Sequence, residues 1–194
     1  MGVGAVVRPV EAGDFGAIAQ ITNHYIATTA IHFSSDPIPA EEQRASWEKT
    51  RERYPYLVAA VAGEIVGYAK ASLWRERAAY SWTPECGIYI RHDRHGRGLG
   101  RLLYERLFEL LTVQGFQTLI AGVTLPNAVS VRLHESMGFV PAGVIQRAGW
   151  KFGQWWDVGF WQRPLAAPGA AAGPLRTVTE AEEILATRRA LPGL

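Results

Sequence analysis

A strand, a glycine-rich turn and a helix follow one another in the middle of the chain, and this segment constrains the fold most strongly. Residues 88–90 are apolar, glycines alternate at Gly96, Gly98 and Gly100, and leucines recur at helical spacing over 99–113. Glycine lets a backbone approach a ligand closely, and free N–H groups at a helix N-terminus favour a phosphate. The alternating glycines and the mid-chain position disfavour a dinucleotide-binding turn and a P-loop. The segment therefore predicts an anion-binding turn of another kind.

Positive charge is concentrated in the same segment. The 194 residues carry 20 Lys and Arg against 18 Asp and Glu, a net charge of +2. Residues 91–106 alone hold five arginines against Asp93 and Glu105, which is a local net charge of +3. The small overall excess is unlike the basic surface of a nucleic-acid-binding protein, so we expect no nucleic acid partner. A capped helix with solvated arginines is the alternative interpretation of this segment.

Composition excludes several other classes of protein. A hydrophobic fraction of 48% with 7 Trp, 7 Tyr and 7 Phe supplies a core and is too apolar for a disordered chain. A single cysteine excludes an intrachain disulfide, and there is no multi-cysteine zinc pattern. We therefore expect no metal, no signal peptide, no membrane association and a reducing, cytoplasmic location.

Hydrophobic periodicity predicts an α/β chain in which a strand and a helix precede a meander. The predicted strands cover 5–10, 56–61, 65–69, 82–90, 117–123, 139–145 and 155–162, and the predicted helices cover 15–25, 39–53, 99–113 and 127–137. Residues 1–165 form one predicted domain, 166–178 an Ala/Gly/Pro-rich linker, and 179–194 a short helix and tail. Thr179 and Glu182 fit a capping box at the start of that last helix.

Several motifs in sequence order resemble one known family. Residues 95–100 (HGRGLG) resemble the acetyl-CoA motif of the GNAT superfamily, Arg/Gln-x-x-Gly-x-Gly/Ala, and depart from it at His95. The resemblance sharpens to phosphinothricin N-acetyltransferases and covers about residues 7–165. The motifs that carry it are 23–26, 53–59, 83–85, 125–127, 133–135, 148–153 and 156–162.

The resemblance implies a GNAT fold, with a mixed, mostly antiparallel twisted sheet flanked by helices, and a homodimer. It also implies acetyl-CoA-dependent acetylation of a small amino-acid-like amine, such as phosphinothricin or methionine sulfoximine, by direct transfer in a ternary complex. The residues expected to bind acetyl-CoA are Ile88, Tyr89, Ile90, His95, Gly96, Arg97, Gly98, Leu99, Gly100, Arg101, Asn127 and Ser130. Asn127 could equally serve as the N-cap of its helix.

Glu85 is the candidate general base. Acetyl transfer needs a neutral amine, and a carboxylate whose pKa is raised by partial burial can take the proton. The resemblance places the family's catalytic Glu here, and the alternative is a solvated or ion-paired carboxylate. Period-2 alternation puts Cys86 on the opposite face, so we expect no acyl-enzyme.

By resemblance His134 is a candidate acid or site organiser. The alternative is an interior histidine whose ring nitrogens are hydrogen-bonded within the protein.

The loop over residues 74–80 supplies candidate substrate contacts. Trp74, Arg75, Arg77 and Tyr80 offer the cations and aromatic walls that a polar tetrahedral head group requires, and they match the subgroup's substrate loop. Phe33 is a further candidate by resemblance. A solvated loop, and core packing for Phe33, are the alternatives.

The sequence leaves two alternative functions open. The first is acetylation of a different amine, namely another amino acid, a polyamine or a protein N-terminus. The second is a catalytically silent CoA-binding module with Trp155, Trp156 and Trp161 as a partner surface.

Overall fold

Seven strands and five α-helices make up the part of the chain that the computed structural model describes, residues 4–167 and 169–190. The strands are β1 Ala5–Pro9, β2 Tyr56–Val61, β3 Glu64–Leu73, β4 Pro84–Ile90, β5 Thr118–Leu125, β6 Val140–Lys151 and β7 Gln154–Pro164. The helices are α1 Phe15–Thr28, α2 Ala40–Glu48, α3 Leu99–Gln114, α4 Ala128–Ser136 and α5 Val178–Ala190. None of these helices is long and apolar enough to cross a membrane.

The strands form one sheet in the order β1-β2-β3-β4-β5-β7-β6. Neighbouring strands are antiparallel except β4 and β5, which are parallel. This architecture confirms the predicted mixed, mostly antiparallel sheet.

Each face of the sheet is covered by helices. On one face α3 buries Leu103, Leu107, Leu110 and Leu111 completely, as the leucine spacing predicts. On the other face α1 packs its apolar stripe, which includes Phe15, against the sheet. The two helical layers thus enclose the central strands, whereas β6 is exposed along most of its length.

Several boundaries differ from the predicted ones. The first helix continues to Thr28 instead of residue 25, and the sixth strand continues to Lys151 instead of residue 145. The second helix ends at Glu48 instead of residue 53, because the chain turns there and the N–H of Arg53 donates to the carbonyl of Thr50 at 2.9 Å. The capping box of α5 is formed by Thr177 and Glu180, so the predicted Thr179–Glu182 box is wrong. In the observed box the Thr177 N–H donates to Glu180 Oε2 at 2.7 Å, and the Glu180 N–H donates to Thr177 Oγ1 at 3.1 Å.

The C-terminal segment packs against the rest of the protein. Ala181 and Leu185 of α5 are buried in the same core as α3. The fully buried Gln114 donates its side-chain N–H groups to the carbonyls of Arg53 at 2.9 Å and Arg176 at 3.0 Å. These contacts join the segment before α5 to the end of α3.

Candidate active site

The sheet opens between β4 and β5. Only two residue pairs, Glu85–Ile120 and Cys86–Ala121, connect these strands. Beyond them, residues 87–90 have no strand partner on the β5 side within the described residues. A cleft of about 540 Å³ occupies this opening. Every residue predicted to bind acetyl-CoA lines the cleft, from Ile88 to Ser130. The remaining lining residues are Tyr25, Ile31, Arg94, Val129 and Leu133.

The glycine turn shapes the floor of the cleft. Gly96 and Gly98 have φ values of 72° and 78°, a region that favours glycine, and Gly98 is the N-cap of α3. Gly100 permits close packing of α3 and α4, because a Cβ there would lie 2.9 Å from Leu133 Cδ2. The first N–H groups of α3 are therefore available to an anion.

His95 connects the glycine turn to α1. Its Nε2 lies 2.7 Å from the phenol oxygen of Tyr25 and 3.1 Å from the carbonyl oxygen of Ile90. Tyr25 itself donates to the same carbonyl at 2.5 Å. The imidazole thus ties the turn to the end of β4 and to α1.

Most of the arginines in this region have acidic neighbours. Arg91 pairs with Asp93 at 2.7 Å, Arg101 with Glu105 at 3.7 Å and Arg106 with Glu109 at 3.0 Å. Arg94 lies 3.6 Å from Asp93. In the described part of the chain, Arg97 has no carboxylate within ion-pair distance, and it lines the cleft. The charge available to an anionic ligand is therefore concentrated at Arg97 and the helix terminus.

Asn127 and Ser130 form the start of α4 at the other side of the cleft. The side-chain oxygen of Asn127 accepts a hydrogen bond from the N–H of Ser130 at 3.1 Å, so Asn127 is the N-cap of α4. The capping role and a place in the cleft wall coexist at this residue.

Glu85 lies in a second cavity, of about 330 Å³, on the face of the sheet covered by α1 and α2. It stands opposite Ser72 on β3. Burial raises the pKa of the Glu85 carboxyl, and the nearby positive charge of Lys70 opposes that rise. Gly122 of β5 leaves room for the carboxylate. The site thus holds a half-buried carboxyl with the properties of a general base.

Three tyrosines, Tyr56, Tyr68 and Tyr89, form an aromatic wall of this second cavity. Tyr68 stacks on Tyr89 with ring centroids 5.3 Å apart, and its phenol oxygen lies 2.7 Å from Thr22 Oγ1. Burial raises the pKa of Tyr89 to about 12, so this phenol is neutral at pH 7. Because Tyr89 lines both the cleft and the second cavity, the two meet at β4.

Sequence reasoning missed the tyrosine wall, Lys70 and Gly122. Alternation along β3 places Tyr68, Lys70 and Ser72 on one face, which was a usable signal. This face lies beside Glu85 because of the register in which β3 pairs with β4. That register depends on the loop between the two strands, so alternation alone does not give it.

His134 is buried behind the cleft. Its Nδ1 lies 2.8 Å from the Ser130 carbonyl oxygen, and its Nε2 lies 2.8 Å from the phenol of Tyr104. The carbonyl can only accept, so Nδ1 carries the proton and Nε2 accepts from Tyr104. Burial lowers the pKa of His134. The imidazole is therefore neutral, and both of its ring nitrogens take part in hydrogen bonds within the protein.

Cys86 lies on the core face of β4, next to Tyr104. Burial raises the pKa of its thiol to about 12. Because the thiolate is the reactive form, the thiol is a poor nucleophile in this environment.

The predicted substrate-loop residues lie outside the Glu85 cavity. The guanidinium of Arg75 lies over Trp74 at 4.8 Å and over Tyr80 at 5.8 Å, while Arg77 is exposed. Phe33 is 39% exposed and packs on Gly149, where a Cβ would lie 2.4 Å from its ring. The structure brings Trp74, Arg75 and Tyr80 together and leaves Arg77 exposed. It places Phe33 against Gly149 of β6.

Residues 18–139 match the model of the Acetyltransferase (GNAT) family, a range that includes Glu85, the cleft and its glycine turn. The chain belongs to the GNAT family of acetyltransferases. Its resemblance to phosphinothricin N-acetyltransferases is confirmed as well. It is 42% identical to the phosphinothricin N-acetyltransferase of Streptomyces viridochromogenes over 90% of this chain and 94% of the relative.

Two further proteins that are similar to this GNAT protein are named for amino-acid analogues. It is 35% identical to the L-methionine sulfoximine/L-methionine sulfone acetyltransferase of Pseudomonas aeruginosa, over 83% of this chain and 95% of the relative. A phosphinothricin acetyltransferase from Sinorhizobium meliloti, solved with acetyl-CoA, superimposes with a TM-score of 0.84 at 31% identity. That match covers 87% of this chain and 93% of the solved chain. The GNAT protein is an N-acetyltransferase.

Proposed function

We propose that this GNAT protein transfers the acetyl group of acetyl-CoA directly to the amino group of a small amino-acid-like substrate, such as phosphinothricin or methionine sulfoximine. The observation that carries the proposal is the junction of two cavities at β4. One is lined by the anion-binding turn and the other holds Glu85, and Tyr89 belongs to both. Two substrates can therefore meet beside one basic carboxylate.

The cleft supplies what acetyl-CoA requires. The unpaired edge of β4 offers backbone groups to the amides of the pantetheine arm, in the manner of an added strand. The α3 N-terminus and Arg97 provide N–H donors and positive charge for the pyrophosphate. The residues present thus fit both the extended and the anionic part of the cosubstrate.

Glu85 acts on the amino group. The amine arrives as an ammonium and gives one proton to the Glu85 carboxylate, either directly or through water. The nitrogen lone pair then forms the C–N bond to the acetyl carbonyl carbon, and the C–S bond breaks with its electron pair on sulfur. The second proton lost by nitrogen neutralises the departing thiolate.

We assign His134 to positioning and give Cys86 no chemical role. His134 uses both ring nitrogens in hydrogen bonds within the protein, so it orders Tyr104 and α4. Direct transfer in a ternary complex needs no thiol nucleophile.

We also propose that the substrate loop contributes outer contacts through Trp74, Arg75, Arg77 and Tyr80, with Phe33 as a further contact. The loop begins where β3 ends at Leu73, next to Ser72, which pairs with Glu85. Its cations and rings suit a polar head group.

The decisive experiment is an acetyl-transfer assay with thiol detection on phosphinothricin, methionine sulfoximine, other amino acids, a polyamine and a peptide N-terminus. We expect turnover with the first two and a loss of about 100-fold or more in kcat for Glu85→Gln. Turnover with neither compound overturns the narrow proposal. Near-normal turnover of Glu85→Gln across the pH range overturns the role of Glu85. Tight acetyl-CoA binding with no transfer to any amine favours a silent binding module.

A homodimer located in the cytoplasm completes the proposal. The edge strand β6, the turn after it and the start of β7 expose large apolar side chains. Their exposed fractions are 49% at Trp155, 55% at Ile145, 57% at Phe152 and 60% at Trp150. An apolar patch of this kind is typical of a protein interface. Light scattering of the wild type and of an Ile145→Asp, Trp150→Asp variant tests this, because the variant should be monomeric.

A further inference from the structure

Lys70 occupies an unexpected place beside Glu85. On β3 it pairs with Gly87 of β4, and the next pair on the same face is Ser72 with Glu85. Lys70 and Glu85 are therefore diagonal neighbours, and such residues lie about 7–8 Å apart in an antiparallel pair. Gly87 has no side chain to cover the lysine, so the space between the two charged groups stays open.

The Lys70 ammonium is half-buried, and the described part of the chain gives it no polar partner. Within the described residues no acceptor lies within hydrogen-bond or ion-pair distance of its Nζ, whose defined neighbour is the ring of Tyr56 at 5.5 Å. Lys151 provides the contrast, because its buried Nζ donates to the carbonyls of Ile26 at 2.7 Å and His32 at 2.6 Å. The fold satisfies one lysine internally and leaves the other directed at a cavity.

Among the residues that line the Glu85 cavity, Lys70 carries the positive charge. Burial, followed by the charges of Lys151 and Lys70, lowers the pKa of His32, so this imidazole is neutral at pH 7. The carboxylates among the lining residues are Glu42 and Glu85. A substrate that gives a proton to Glu85 and carries a negative group a few ångströms away would satisfy both charged ends of this cavity.

We propose that Lys70 binds the carboxylate of the acceptor amino acid while Glu85 receives the proton from its amino group. This inference rests on the proposed function and adds a specificity-determining residue to it. An amino acid places its carboxylate within a few ångströms of its nitrogen, so it can bridge the diagonal pair. A polyamine would instead bring a second positive charge towards Lys70, which disfavours it.

Paired acceptors separate this role from a general effect on the site. L-Methionine sulfone and its methyl ester differ in the charge at the carboxyl end, and both are assayed with the full chain and acetyl-CoA. The variants are Lys70→Met, Lys70→Gln and Lys70→Arg, with Lys49→Met as the exposed control. Calorimetric binding of L-methionine sulfone to the CoA-loaded protein provides a second readout, and thermal unfolding checks that each variant is folded.

We expect Lys70→Met and Lys70→Gln to raise KM for the sulfone about 10- to 100-fold and KM for the ester less than threefold. Lys70→Arg should stay within about fivefold of the wild type, and Lys49→Met should match it. Equal effects on acid and ester, or no effect on either, overturn the proposal.

The outcomes also separate this inference from the proposed function. Lys70-dependent binding of the sulfone without acetyl transfer would support the anion site and contradict the proposed function. Acetylation of a polyamine, with no binding or turnover of the sulfone, would overturn the role of Lys70 and leave acetyl transfer standing. Absence of both binding and turnover would overturn the two together.

Discussion

Glu85 and Gly122 face each other so closely that Oε1 of the carboxylate lies 3.2 Å from the point where a Cβ of residue 122 would stand. This contact is tighter than ordinary packing. Gly122→Ala should therefore push the Glu85 carboxylate a few tenths of an ångström from its place and lower kcat about tenfold. Gly16→Ala on α1 is the matched control, because nothing lies within 4 Å of a Cβ there, and it should leave kcat unchanged. Equal activity of both variants would contradict the tight fit around Glu85.

The pH dependence of kcat/KM should reflect the environment of Glu85. Burial raises the pKa of this carboxyl, and Lys70 opposes the rise. Because the base must be ionised, activity should fall as the pH drops through that raised pKa, above the range of an ordinary glutamate. Lys70→Met removes a positive charge, so it should move this acidic limb to still higher pH, whereas Lys70→Arg should leave it in place. A limb unaffected by Lys70→Met would show that the two groups are uncoupled.

Cys86→Ala should retain activity within about threefold of the wild type. The thiol has a pKa raised to about 12 by burial and faces the core, so it has no part in acetyl transfer. Steady-state kinetics should show intersecting lines for the two substrates, and mass spectrometry of protein incubated with acetyl-CoA should find no acetyl group on Cys86. Ping-pong kinetics or an acetylated cysteine would contradict direct transfer.

Leu185→Ala should lower the free energy of unfolding by about 2–3 kcal/mol, because it removes a buried side chain between α5 and α3. Glu183→Ala, an exposed change on the same helix, should have little effect. Urea unfolding followed by tryptophan fluorescence measures both. If the two variants are equally stable, α5 does not contribute to the core in solution.

Much of the fold could be predicted from signals between residues that are close in sequence. The leucine stripe of α3 and the glycines of the turn act through neighbours in sequence, so their conformations follow from periodicity and from backbone preference. The end of α2 at Glu48 was not predicted, because residues 49–53 have no strong helix-breaking signal before Pro55. The Thr177–Glu180 box and the Thr179–Glu182 pair have the same spacing, and tertiary packing chooses between them.

Contacts across long stretches of sequence explain the part of the site that was missed. His95 contacts Tyr25 across 70 residues. Lys70 lies diagonally from Glu85 because of a strand pairing that depends on the intervening loop. Alternation identifies which residues of a strand share a face. Which residues of the neighbouring strand lie beside them depends on the register of the pairing. Glu85 could be named because its own strand and the family resemblance both pointed to it, whereas Lys70 had neither.

The two pairs that join β4 to β5 divide the sheet into a four-stranded part and a three-stranded part. Besides these few ladder bonds, the two parts share the hydrophobic core that α3 forms with residues of β5 and β7. A ligand lying between the strands would supply the missing pairing. The cosubstrate would then act as a temporary eighth strand, and its departure would loosen the framework that holds the base.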